Sequence, residues 1–210
     1  MSIAKFQLSA LLAVFFISTS FAGEYNSIMN IGDKMPEFKD LPAVDGSKLS
    51  SQQITESVVV LVSLANHCPW VKGMDDDLVK LAEAFKGKDV RVIGFSVNHR
   101  EDDRLPAMKT HAEEVGYNFT YIYDESQELG RALGATRTPE YFVFNKSRKL
   151  VYTGLLYNSP AKKNRRGEVT HINGEPSVFY VQDAISATLA GKPVKTAETR
   201  AHGCSVKYEL

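Results

Sequence analysis

The stretch Val58-Val59-Val60-Leu61-Val62-Ser63-Leu64-Ala65 is apolar without alternation and gives way at once to Asn66-His67-Cys68-Pro69-Trp70. A short run rich in β-branched residues suits a central strand buried on both faces. Pro69 suits the first position of a following helix, where its missing N–H is not needed. This junction therefore predicts a strand, a tight turn and a helix, with Cys68 at or near the helix N-cap.

A thiol at that place is set for chemistry. Unpaired backbone N–H groups and the positive end of the helix dipole favour the thiolate, the nucleophilic form of cysteine. The plainer alternative is a buried structural cysteine behaving as a small hydrophobe. Against it, Cys68 ends the apolar run and follows the polar Asn66 and His67, so it is expected at a mouth and not within a core.

The first residues carry one lysine at position 5, an apolar stretch from Leu8 through Ile17, and Ser20-Phe21-Ala22 with small residues at −3 and −1. This is the pattern of a secretory leader over residues 1–22, and the stretch is short for a membrane span of about 20 apolar residues. No integral membrane segment is expected after cleavage, and the product is expected outside the cell or in the periplasm. What remains suits one domain over 23–191 and a flexible tail over 192–210. Lys and Arg number 25, as do Asp and Glu, and no basic stripe with interleaved aromatics appears, which speaks against a nucleic-acid partner. The two cysteines, Cys68 and Cys204, lie far apart, unlike a disulfide-rich scaffold. If they join, the bond is either a long-range staple or a redox couple.

An extended entry with a turn at Asp45-Gly46 leads to the central strand. Pro69 to Lys86 has helical spacing through Val71, Leu78, Val79, Ala82 and Phe85 and is closed by Gly87. A second strand is expected at Val90 to Val97, a helix from about Arg104 to Val115, and a strand at Phe119 to Tyr123. A short helix follows over Ser126 to Leu133, with Ser126 as N-cap and Gly134 as stop. Tyr141 to Phe144 and Leu150 to Leu156 read as paired strands, Tyr157 to Pro176 as a long surface loop, and Ser177 to Ala190 as a last helix. The layout is α/β, a mixed central β-sheet flanked by helices. Asp75-Asp76-Asp77, near a helix start, and the Lys162, Lys163, Arg165 and Arg166 cluster are expected to be solvated.

A strand, a Cys-Pro helix, and Thr138-Pro139 leading into a strand together resemble a thioredoxin-like fold. The chain is most similar to the redoxin family related to the alkyl hydroperoxide reductase and thiol-specific antioxidant (peroxiredoxin-like) group. The likeness runs from Ile31 to Tyr208 and rests on Asn66-His67-Cys68-Pro69, Thr138-Pro139 and Gly203-Cys204-Ser205-Val206-Lys207-Tyr208. It implies that Pro139 is a cis-proline facing Cys68 and that Thr138 offers backbone groups to an extended substrate. Pro69 and Trp70 then border the substrate site, with Trp70 either a partner-contact surface or packed on the loop. Arg137 either stabilises a thiolate or peroxide oxygen, or stands exposed.

Departures from related families set the chemistry. Thioredoxins use Cys-x-x-Cys, but the position three after Cys68 is Val71; typical peroxiredoxins carry a threonine three before the peroxidatic cysteine, but here it is Ala65. Cys204 is then the candidate resolving thiol, because a sulfenic acid or mixed disulfide at Cys68 needs a second thiol to form a recyclable bond. Fully extended at ~3.3 Å per residue, the stretch from Gly191 to Cys204 spans about 40 Å, so reach is not limiting. The expected activity is a thiol-dependent oxidoreductase. It would act on a disulfide-bearing protein or a peroxide, with an external thiol as reductant and no cofactor. The alternative is a copper or zinc carrier or assembly factor in which His67-Cys68 and His202-Gly203-Cys204 pool their ligands.

Overall fold

The computed structural model describes residues 23–209; the expected leader over 1–22 lies outside the described residues. The strands are β1 (Leu41–Pro42), β2 (Lys48–Leu49), β3 (Val58–Ser63), β4 (Val90–Ser96), β5 (Thr120–Tyr123), β6 (Arg137–Thr138), β7 (Glu140–Phe144), β8 (Leu150–Gly154), β9 (Ala161–Lys163), β10 (Val169–His171) and β11 (Cys204–Ser205). The α-helices are α1 (Pro69–Ala84), α2 (Leu105–Val115), α3 (Glu128–Leu133) and α4 (Tyr180–Leu189). Among the described residues no helix is long and apolar enough to cross a membrane.

Five strands make one sheet in the order β5-β4-β3-β7-β8. β3 runs parallel to β4, β4 parallel to β5, and β7 antiparallel to both β3 and β8. The central place of β3 explains its unbroken apolar sequence. Val58, Val60 and Val62 pack on one face with Leu78 and Leu81 of α1 and Val181 and Ile185 of α4, while Val59 and Leu61 pack on the other with Phe142, Phe144, Leu129 and Leu133. Both faces of the strand are covered, so neither register of side chains needs to be polar.

Local sequence and structure agree at the punctuation. Gly46 (φ 85°) turns the chain between β1 and β2, and Gly134 (φ 65°) ends α3 in the left-handed conformation that glycine adopts without a Cβ clash. The start of α3 differs from expectation. Gln127 (φ 62°) is its N-cap, while Ser126 donates its hydroxyl to Asp124 Oδ1 at 2.9 Å. Ser126 Oγ still accepts the Glu128 N–H at 3.3 Å, and the buried Asp124 carboxylate shares the capping work by accepting the Gly130 N–H at 3.0 Å.

Three further expectations are corrected. Tyr157 to Pro176 is not an open loop: β9 and β10 pair antiparallel, and β9 lies on α1 so closely that a Cβ on Gly73 would stand 2.6 Å from the Ala161 carbonyl oxygen. The acidic triplet is not a solvated face throughout, since Asp75 is 6 % exposed, accepts the Tyr117 hydroxyl at 2.5 Å and pairs with His111 at 3.3 Å. Residues 192–209 do not trail from the domain either. The backbone at Ala197 and Thr199 bonds to Thr153 on β8, and farther on β11 pairs antiparallel with β6.

Candidate functional site

The site forms where β3 leaves the sheet. Leu64 is the last of this run to bond across to β4, through Phe95 O, and the chain then turns so that Cys68 N–H donates to Ala65 O at 3.0 Å. Cys68 is the N-cap of α1 with Pro69 at the first helical position. Its carbonyl accepts the first helical bond, from Lys72 N–H, but its side chain does not cap the helix. The thiol donates instead to Thr138 O at 3.1 Å.

Across from it, the Thr138–Pro139 peptide is cis. Both residues are buried, and the Thr138 hydroxyl oxygen has no hydrogen-bond partner among the described residues. The approach to this bond is shaped by a residue that sequence reading passed over. Glu140, 4 % exposed, accepts the backbone N–H groups of Thr136 at 2.8 Å and Arg137 at 3.1 Å on one carboxylate oxygen. Burial pushes its carboxyl above the usual range against the pull of those two donors. Only its place right after the proline hinted at this role.

The tail completes the site. In the antiparallel register of β11 on β6, Cys204 stands opposite Thr138 and Ser205 opposite Arg137, and Val206 N–H adds a bond to Thr136 O at 3.0 Å. Cys204 thereby lies against Cys68. Burial first, and the neighbouring Cys68 sulfur second, push the Cys204 thiol up to about 12. Both cysteines are free thiols, and Cys68 is 0 % exposed. The expected mouth is thus corrected to a closed seat: Cys68 lies within the hydrophobic core cluster, and Cys204 packs against that cluster.

Residues beyond β11 anchor this arrangement. Lys207 N–H donates to Asn98 Oδ1, Gln127 Nε2 to Lys207 O at 3.0 Å, and Glu209 N–H back to Gln127 Oε1 at 2.8 Å. The Tyr208 hydroxyl donates to Ala135 O at 2.7 Å, and the Arg131 guanidinium lies 4.6 Å over its ring. The Glu209 carboxylate pairs with His99 and holds that imidazole above its ordinary value.

The remaining expected site residues divide. Pro69 is exposed at the rim, and the half-buried Trp70 meets the His202 ring edge-on at 4.3 Å, with Lys162 Nζ 5.7 Å from its centroid. Trp70 is therefore packed between tail and hairpin. The Arg137 guanidinium donates to the Ser205 hydroxyl and so helps hold the tail, not the thiol. His67 is taken up by Asp103, which is 0 % exposed and receives both its backbone N–H (3.2 Å) and its Nδ1 (2.5 Å). The four-ligand set of His67, Cys68, His202 and Cys204 is not drawn together. Among the described residues the candidate ligands clustered with His67 are Asp102 and Asp103.

This geometry can be set beside known proteins. A family model described as Redoxin matches residues 30–169. Among solved structures, an uncharacterized conserved protein from Geobacillus kaustophilus is similar at 30 % identity and a TM-score of 0.76, over 88 % of this chain and 95 % of that one. A hypothetical protein from Sinorhizobium meliloti matches at 26 % identity and 0.74, over 86 % and 96 %. A thiol:disulfide interchange protein of the thioredoxin family from Chlorobium tepidum shares the fold at 19 % identity and 0.55, over 77 % and 99 %. No curated protein matches the chain.

Proposed function

This chain belongs to the Redoxin family, with a thioredoxin-like fold, and from that premise we propose that it is an exported thiol–disulfide oxidoreductase with Cys68 as nucleophile and Cys204 as resolving thiol. One observation carries the reading: the pairing of β11 with β6 brings a second thiol, remote in sequence, against Cys68. Export is read from the leader pattern over residues 1–22.

In the first step the Cys68 sulfur, giving up its proton, attacks one sulfur of a client disulfide. The client S–S bond breaks, and the leaving sulfur takes up a proton. In the second step Cys204, deprotonated in turn, attacks the Cys68 sulfur; the mixed disulfide breaks and the second client sulfur departs as a thiol. Two electrons pass to the client and a Cys68–Cys204 disulfide remains, to be reduced by an external dithiol. Peroxide reduction is the less favoured use of the same pair, since Ala65 offers no hydroxyl at the place where the resemblance calls for one, and Arg137 is engaged by Ser205.

The test is peptide mapping and intact mass after the reduced protein meets oxidised glutathione. The expected product is a Cys68–Cys204 disulfide, lighter by two hydrogens and reversed by dithiothreitol. Cys204→Ser should instead stop with glutathione on Cys68. Two thiols that stay free, or glutathione accumulating on Cys68 in the unaltered protein, would overturn the assignment.

A further inference from the structure

Cys68 is wholly buried although its proposed work is on a partner's sulfur, and the chain's own β11 lies beside it, pairing with β6 and packing Cys204 against the same cluster. Among the described residues β6 has β11 as its sheet neighbour, so the backbone groups of residues 136–138 that would receive an extended partner are already taken by residues 204–206. An extended segment adds to a strand edge through main-chain bonds, and two segments cannot hold the same edge at once. We propose that β11 sits in the client's own seat, that the tail must leave before a client strand docks, and that the seat admits clients with glycine immediately before the reacting cysteine. This deepens the proposed oxidoreductase reading and rests on it.

The glycine requirement comes from Gly203. A Cβ built there would lie 2.1 Å from the Thr138 carbonyl oxygen and 2.8 Å from its carbon. That oxygen also receives the Cys68 thiol, so it cannot give way without disturbing the nucleophile. Any strand that places a cysteine where Cys204 now stands brings its preceding residue to the same point. The tail is therefore a template: extended, antiparallel to residues 136–138, with Gly-Cys at its head.

The tail is held as a latch. Its tip has dedicated partners in Asn98, Gln127, Arg131 and the Ala135 carbonyl, clear of Cys68, so it can return to the same place and bring Cys204 back for the resolving step. The catalytic order becomes release of the tail, client docking, mixed-disulfide formation, then return of the tail with departure of the client.

The experiment uses the full chain as Cys204→Ser, which halts the reaction at the mixed disulfide. Two peptides spanning residues 201–206 of this chain carry their cysteine as the mixed disulfide with thionitrobenzoate, one with the natural glycine and one with alanine in its place. The glycine peptide should couple to Cys68 at least tenfold faster. Adding Gly203→Ala to the protein, which unseats its own tail, should speed coupling of the glycine peptide at least tenfold. Adding Tyr208→Phe, which loses only the bond to Ala135 O, should speed it several-fold while the far-ultraviolet spectrum stays unchanged. Equal rates for the two peptides, or no gain from either tail variant, would overturn the shared seat while leaving the oxidoreductase reading intact. A Cys68 inert to both peptides and to free dithiobis-nitrobenzoate, even with the tail unseated, would instead defeat that reading.

Discussion

The Cys68 thiol donates to the carbonyl oxygen of Thr138, a residue seventy positions away, at 3.1 Å. The same Thr138 stands opposite Cys204 in the β6–β11 register, so one residue organises both thiols.

The state of Cys204 in this closed form gives a pH signature. Burial and the Cys68 sulfur raise its thiol from 9.0 to about 12, so the folded state favours the protonated form. The stability this contributes is whole below about pH 9 and is lost as pH rises towards 12. Alkylation of Cys204 by iodoacetamide should keep rising about tenfold per pH unit past pH 9 without levelling. In Cys68→Ala, which removes the second cause, the inflection should move down. A plateau near pH 9 in the unaltered protein would contradict this.

Gly73 tests the seating of the hairpin. An alanine inside a helix ordinarily gains about 0.5–1 kcal/mol over glycine. Here its Cβ would meet backbone, the Ala161 oxygen and Lys162 Cα, both at 2.6 Å, and backbone cannot rotate away. Gly73→Ala should therefore lose about 1–3 kcal/mol in urea unfolding, the range of overpacked cores.

Asp75 is a buried carboxylate that accepts the Tyr117 hydroxyl and has the His111 Nε2 3.3 Å away. Asp75→Ala leaves both without it and should cost about 2–3 kcal/mol. The exposed neighbour Asp76 has no such role, and Asp76→Ala should stay within about 0.5 kcal/mol in the same measurement.

Glu140 predicts a stability crossover. Burial raises its carboxyl, so the folded state prefers the protonated form; that contribution is full below the unfolded value and disappears as pH rises through the folded one. Glu140→Gln keeps a carbonyl oxygen for the Thr136 and Arg137 amides and carries no charge. Thermal melts should show the variant gaining on the unaltered protein between pH 4 and pH 7. A gap that stays constant with pH would refute the assignment.

The main sheet was legible because its signal is local: β3 is continuously apolar, Pro69 marks the start of α1, and Gly134 the end of α3. The position of Cys68 and the cis form of Thr138–Pro139 followed from the junction residues and the family resemblance. Four features were hidden because long-range partners create them. β11 is two residues long in a polar stretch, and its register comes from β6, not from any periodicity of its own. The β9–β10 hairpin is rich in basic residues and is held by the close approach at Gly73. Asp75 is met by Tyr117 and His111 from distant parts of the chain, and Asp103 reaches His67 across the sequence from the end of a 3-10 turn. Charge in a sequence suggests water; a partner folded over it reverses that.

In the proposed cycle the resolving sulfur is tethered to the nucleophile's own chain, so Cys204 would compete as a reagent at an effective concentration on the order of millimolar. A dissolved monothiol must reach that range before it intercepts a mixed disulfide at Cys68. In that proposed cycle the β6–β11 pairing would also set a selectivity against the small-thiol background, the disulfide closing internally unless the surroundings become strongly reducing.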